Sequence, residues 1–290
     1  MDEQTTALPQ TRNGELRFAE NAYTSPPFRA GFFARMFPAL YFYAGMAAVV
    51  YKGSKEAGAG NYSDADWVES SRNIARTLER AGGRLELEGL DVIHALKEPC
   101  LFVGNHMSTL ETFLLPCLIQ PWKPVTFVIK DSLNSYPFFG PIMRSRNPIV
   151  VGRENPRGDF TIVMEGGEER LQRGISIVIF PQSTRMEAFD PSQFNSIGIK
   201  LAKRVKVPVI PVALRTDFWG NGTLIKEFGP IRPQSTVHMR FGQPLEVSGN
   251  GKAEHAAVLD FIRNNLNDWG IPPMEPKEAV KEAPKESPDE

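Results

Sequence analysis

Cysteine and histidine are scarce in this chain, 2 and 4 among 290 residues. Cys100 and Cys117 cannot build a disulfide framework or a cysteine-based zinc site, and no metal is expected. Their apolar neighbours suit buried thiols in a reducing compartment. Net charge is just as small. Lys and Arg number 33 against 34 Asp and Glu, a balance of −1. The whole chain therefore offers no attraction to nucleic acid or anionic lipid, and any electrostatic partner must be met by local clusters. Residues 1–27 carry Asp2, Glu3, Glu15 and Glu20 and lack the basic start and apolar run of a secretory signal. A protein on the cytoplasmic side is the expectation. Missing too are a G-x-S-x-G elbow, a complete G-x-x-x-x-G-K-[ST] loop, a G-x-G-x-x-G after a strand and an H-E-x-x-H pair. Serine hydrolase, nucleotide-binding and zincin readings lose their usual signatures.

No apolar run is long enough for an ordinary membrane span. The richest, Phe28 to Tyr51, is free of charge only over the 16 residues Met36–Tyr51, about 24 Å of helix against a hydrocarbon core of roughly 30 Å. Pro38 interrupts it. Phe32, Phe33, Phe37, Tyr41, Phe42 and Tyr43, flanked by Arg29, Arg35 and Lys52, suit a helix lying in the membrane interface. A buried core helix is the competing reading.

What is present is a globular composition, 41% hydrophobic and 23% charged, with a mean hydropathy of −0.27, enough for one large domain or two small ones. Asp64 to Ala81 has helical spacing, a Ser63 or Asp64 cap and a Gly82-Gly83 stop. Strand patterns follow around Leu85–Leu90 and over Cys100–Gly104, Val125–Ile129, Ile149–Gly152, Ile175–Phe180, Val207–Val212 and Val237–Phe241. Helical stretches lie near Thr109–Ile119, Asp159–Arg173, Asn195–Lys203 and Ala253–Leu266. This alternation predicts a single α/β domain over 61–270, with a largely parallel central sheet flanked by helices. Before it come a polar flexible leader (1–27) and a membrane-associated helical segment (28–60). After it, 271–290 reads as a disordered Pro/Glu/Lys tail.

His106 is the informative histidine. It follows the apolar run Leu101-Phe102-Val103, at the rim where open α/β sheets place ligands. Glu111 stands five positions on, about 140° round an ideal helix, so the two meet only if His106 is in the turn and Glu111 in the first turns of the helix. In that arrangement the carboxylate holds one ring nitrogen and leaves the other as a general base. A histidine that merely caps a helix remains the alternative for this segment alone. Ile179-Phe180-Pro181-Gln182-Ser183-Thr184-Arg185 follows a second buried strand, and Val207-Pro208-Val209-Ile210-Pro211-Val212 forms a third. Between His106 and these segments come Lys130, Phe139-Gly140-Pro141-Ile142-Met143-Arg144 and Val150-Val151-Gly152-Arg153. From Lys123 to Arg153 the basic residues Lys123, Lys130, Arg144, Arg146 and Arg153 face one acid, Asp131. That excess suits a phosphate-bearing substrate or an acidic carrier.

In order and spacing these segments, from about Gly83 to Phe241, resemble the 1-acylglycerol-3-phosphate acyltransferase family of lysophospholipid and glycerol-phosphate acyltransferases. The family's first motif is Asn-His, four residues, then Asp; its third is Phe-Pro-Glu-Gly-Thr-Arg; its fourth is a Val-Pro-Val-Ile-Pro-Val type strand. Two departures stand out: Glu111 replaces Asp, and Gln182-Ser183 replaces Glu-Gly. The resemblance implies that 61–270 is an acyltransferase domain acting on membrane lipids, with acyl-CoA or acyl carrier protein as co-substrate and no bound cofactor. It makes His106 the base toward an acceptor hydroxyl and Glu111 its orienting acid. Lys130 becomes an oxyanion stabiliser, and Gln182, Ser183, Thr184 and Arg185, with Arg144 or Arg153, the acceptor site. Gln182 is expected to face the acceptor's hydroxyls. The change from Glu-Gly also keeps two other readings open, a lapsed lipid-binding member and a thioester hydrolase.

Overall fold

The computed structural model describes residues 21–27, 30–182, 184–223, 225–272 and 274. Its strands are β1 (Ala22–Thr24), β2 (Arg84–Glu88), β3 (Leu101–Gly104), β4 (Val125–Lys130), β5 (Ile149–Val151), β6 (Ser176–Ile179), β7 (Val209–Arg215) and β8 (Thr236–Phe241). They form one sheet in the order β1-β2-β8-β7-β3-β6-β4-β5. The β1–β2 and β7–β8 pairs are antiparallel, and the other five pairings are parallel. The helices are α1 (Phe32–Met36), α2 (Pro38–Gly58), α3 (Asp64–Arg80), α4 (Leu90–Ala95), α5 (Leu110–Ile119), α6 (Asp131–Asn134), α7 (Gly140–Ser145), α8 (Pro156–Gln172), α9 (Ile197–Val205) and α10 (Lys252–Asp268).

The period of two along each strand divides the core between two faces. Phe102, Val178, Ile210, Val212 and Leu214 pack with α2, α3 and α5. Leu101, Val103, Ile177, Ile179 and Val209 pack with α8, α9 and α10. Helices cover both faces, so β3, β6 and β7 read as continuous apolar runs rather than alternating ones.

Two helices near the site show how local chemistry sets their course. A capping box opens α3: the Asp66 amide donates to Ser63 Oγ (3.2 Å), and the Ser63 amide donates to Asp66 (2.9 Å). In α5, Pro116 breaks the regular ladder. The Ser71 hydroxyl of α3 is inserted there, donating to the Phe113 carbonyl (2.5 Å) and accepting from the Cys117 amide (3.0 Å). That exchange ties α5 to α3 and fixes the helix that carries Glu111.

One expectation needs correcting at the N-terminus. The leader read as flexible ends in β1, where Tyr23 is buried and its hydroxyl donates to Glu79 (2.6 Å); three residues are too few for a period-two signal. Residues 1–20 lie outside the described residues, as do 275–290, the larger part of the tail expected over 271–290. The aromatic segment splits at Pro38 into α1 and α2, and among the described residues no helix is long and apolar enough to cross a membrane. Phe42 and Met46 of α2 sit in the core, whereas Phe32, Phe33, Met36, Phe37, Leu40 and Tyr51 are exposed. The segment thus combines the buried reading on one side with an open apolar surface on the other.

Candidate active site

Strands β7, β3 and β6 are neighbours and parallel, so the segments leaving their carboxyl ends emerge side by side. His106 follows β3, Phe180 to Gln182 follow β6, and Thr216 follows β7. Lys130 ends β4, and Arg153 comes just after β5. The sheet thus gathers at one edge residues that are scattered over more than a hundred positions of sequence.

Asn105 locks the turn first. Its side-chain amide donates to the Leu214 carbonyl (2.8 Å) and its oxygen accepts from the Leu214 amide (2.9 Å), carrying the β3–β7 ladder one step further. Gly104 allows the strands to come this close, since a Cβ there would lie 2.8 Å from the Val212 carbonyl oxygen. The next residue, His106, donates its backbone amide to Gln182 Oε1 (2.7 Å) and accepts at its carbonyl from the Met186 amide (2.9 Å). Its ring stacks on Phe180, centroids 4.5 Å apart and planes within 7°. Backbone and ring are both held.

His106 Nδ1 lies 2.8 Å from Glu111 Oε1. The Met107 and Ser108 amides donate to the same oxygen at 2.8 and 3.0 Å. Oε2 accepts from the Thr216 hydroxyl (2.6 Å), with the Ser108 hydroxyl at 3.1 Å. Glu111 is fully buried. Burial pushes its carboxyl upward, but the hydrogen bond and charge of His106, the Thr216 hydroxyl and the backbone amides outweigh that and hold it below the usual carboxylate range. An ionised Glu111 requires Nδ1 to carry the proton, leaving the lone pair on Nε2. The extra methylene relative to Asp is absorbed by the helix start, and the dyad closes at hydrogen-bond distance.

His106 lines a cavity of about 1000 Å³. One end is polar, with His106, Lys130, Arg153, Thr184, Arg185, Lys226 and Glu227. The remainder is mostly apolar, walled by Leu40, Tyr43, Ala47 and Val50 of α2, by Phe113 and Trp219, and by Tyr136, Phe138 and Phe139. Arg185 reaches Thr109 through Nη1 and Glu227 Oε1 through Nη2 (2.7 Å). Lys226 donates to the Thr184 hydroxyl (2.8 Å). Asp159 takes the Gly152 and Arg153 amides at 3.0 and 2.8 Å, shaping the turn that presents Arg153. Burial and the charge of Arg185 push the Arg153 guanidinium downward, and Asp159 pulls it back.

Other expected residues are placed elsewhere. Arg144 donates to the Asn134 carbonyl and does not line the cavity, so of the two candidate arginines Arg153 is the one at the site. Lys123 is buried on the Glu98 carbonyl (3.0 Å), and Arg146 holds Asp64 (2.5 Å) and the Tyr62 carbonyl (2.7 Å). The sequence excess of basic residues thus serves largely to satisfy backbone and carboxylate oxygens. Gln182 is buried against the His106 amide and does not line the cavity. That corrects the expectation that it faces the acceptor. Ser183 lies outside the described residues. Thr216 and Glu227 went unread: neither stands in a motif, and only the pairing of β7 with β3 and the bond from Arg185 bring them in. Among the described residues no cluster of three or more His, Cys, Asp or Glu is placed to hold a metal.

The Acyltransferase family model matches residues 84–215, which contain His106, Glu111 and the segment after β6. A 1-acyl-sn-glycerol-3-phosphate acyltransferase of Pseudomonas aeruginosa is 30% identical over 187 residues, 64% of this chain and 68% of the relative. The chain belongs to the acyltransferase family. It is an acyltransferase. A second Pseudomonas aeruginosa relative, a lyso-ornithine lipid O-acyltransferase, is 26% identical over 174 residues, and this chain spans 65% of its length. The crystal structure of the Thermotoga maritima 1-acyl-sn-glycerophosphate acyltransferase shares the fold, with a TM-score of 0.58 at 18% identity over 83% of this chain and 98% of that one.

Proposed function

We propose that this acyltransferase moves a fatty acyl chain from acyl-CoA or acyl carrier protein to the free hydroxyl of a lysophospholipid such as 1-acylglycerol-3-phosphate, in phospholipid biosynthesis. The observation that carries the reading is the His106–Glu111 pair, 2.8 Å apart, opening on a cavity with a basic end and a long apolar wall. Those two ends match an amphiphile bearing a polar head and an acyl chain.

In the reaction, His106 Nε2 takes the acceptor hydroxyl's proton as its oxygen attacks the thioester carbonyl carbon. The new C–O bond gives a tetrahedral oxyanion, for which Lys130 and backbone amides are the candidate donors. Collapse breaks the C–S bond, and the sulfur leaves with the proton returned by the imidazolium. Glu111 stabilises that imidazolium while it exists. The thioester is already activated, so the chemistry calls for no resident cofactor.

The acyl chain and the acceptor both partition into lipid. Phe32, Phe33, Met36, Phe37 and Leu40, together with Tyr136, Phe138, Ile225 and Phe228 around the cavity, leave exposed apolar surface. Such a surface suits docking on the cytoplasmic face of the membrane, with α1 and α2 lying in the interface.

The test is thiol release by the purified protein on vesicles, with acyl-CoA and acyl carrier protein as donors and a panel of lyso-lipids. Release that requires a lyso-lipid and yields the diacyl product supports the proposal. Release without any acceptor points to a hydrolase, and no release with either donor contradicts turnover.

A further inference from the structure

The polar end of the cavity contains a carboxylate that an acceptor made only of phosphate does not need. Glu227 is the single Asp or Glu among the described residues lining the cavity. Its side chain is one-third exposed, and Oε1 accepts from Arg185 Nη2 at 2.7 Å. Among the described residues no hydrogen bond uses its Oε2. Arg185, whose planar fork is the natural bidentate grip for a phosphate, is thus already committed on one arm to Glu227. Its other arm is on Thr109, the residue that precedes α5. A dianionic head at Arg185 must either displace Glu227 or lie beside it and be repelled.

Resting on the transferase reading above, we infer that Glu227 selects a zwitterionic acceptor, a lyso-lipid whose head carries an ammonium as well as an anionic group. The ammonium pairs with Glu227. The anionic group meets the other cations at that end, Arg153, Lys130 and Lys226. Arg185 keeps its bond to Glu227 throughout and aims that carboxylate, while its Thr109 contact ties the pair to the turn bearing His106. Each charge of the head then meets at least one group of opposite sign. Gln182, set apart on the His106 amide, takes no part in this choice.

The experiment measures kcat/KM with both acyl donors over four lyso-lipids. Lysophosphatidic acid and lysophosphatidylglycerol carry an anion and no ammonium. Lysophosphatidylethanolamine adds an ammonium to a phosphate, and a lyso-lipid with an amino-acid head adds one to a carboxylate. The wild type is expected to favour one or both of the last two. Glu227→Gln should lower the preference for ammonium over non-ammonium acceptors about 10- to 100-fold, the value of one hydrogen bond to a charged group, chiefly through KM. Glu227→Asp should restore part of it. The preferred ammonium acceptor tells whether phosphate or carboxylate is the anionic partner. A wild type that prefers lysophosphatidic acid, or a Glu227→Gln variant that loses activity equally on all four, overturns the inference and leaves the transferase reading standing. Failure of every acceptor to elicit transfer in the wild type removes both.

Discussion

Thr216 donates a 2.6 Å hydrogen bond to Glu111 Oε2 across a sequence separation of 105 residues. Glu111 belongs to the helix after β3 and Thr216 to the turn after β7, and the parallel β3–β7 pairing brings them together. The bond completes the set of donors that keeps a fully buried carboxylate ionised. Thr216→Val keeps the shape and removes the donor. Urea unfolding at neutral pH should show a loss of about 1.5–3 kcal/mol, the range for hydrogen bonds to charged groups, with a lower kcat and little change in KM. An unchanged unfolding midpoint would show that the Glu111 carboxylate is held without it.

The pH dependence of that carboxylate has a definite sign. Glu111 is depressed in the folded protein, so its contribution to stability is complete above the unfolded value of about 4.3. It is lost as pH falls through the lower folded value. Glu111→Gln can keep its oxygen on His106, Met107 and Ser108 and turn its nitrogen toward the two hydroxyls, so the fold survives without the charge. Wild type should therefore exceed Glu111→Gln in stability at pH 7, and the gap should shrink on acidification through that window. A gap independent of pH would mean that Glu111 is not an ionised partner.

Gln182 acts through the backbone of His106 rather than on the acceptor. Gln182→Ala leaves the His106 amide without its partner, which costs about 1–3 kcal/mol for a buried donor. Activity should fall by a similar factor on every lyso-lipid, leaving their ranking intact. A changed ranking would restore Gln182 to the acceptor site.

Attachment to membranes should reside in the exposed aromatic residues of the first two helices. Fully burying one such side chain is worth about 1.5–3 kcal/mol, so Phe32→Ser with Phe33→Ser and Phe37→Ser should lower partition onto vesicles by at least tenfold. Cosedimentation measures this. Alkaline washing should release the wild type; retention in the pellet through that wash would indicate a span.

Much of the scaffold was legible because β3, β6 and β7 are buried on both faces and α3 carries a clear start signal. Ser63 caps α3, and the run from Leu101 to His106 announces a strand followed by a functional turn. The dyad was legible too, since the spacing of His106 and Glu111 allows contact only at a helix entrance. What could not be read depends on partners distant in sequence. Gln182 stands in a motif yet points its oxygen at a backbone amide. Arg144 and Lys123 look like substrate cations but satisfy carbonyls of neighbouring turns. Thr216 and Glu227 carry no local pattern, and only the strand order places them beside His106 and Arg185. The β1 strand is too short to show a period, and its Tyr23–Glu79 bond joins segments that composition alone assigns to different regions.

Whether His106 is the base for acyl transfer is decided by single-turnover thiol release from the His106→Ala protein. With a lyso-lipid acceptor and acyl donor at saturation, and folding verified by the urea midpoint, the account predicts a rate about 10²- to 10⁴-fold below wild type. Glu111→Gln should fall between the two, because it still orients the ring but no longer stabilises its positive charge. A His106→Ala protein that keeps more than about a tenth of the wild-type rate, a smaller loss than removal of a general base produces, would contradict the account.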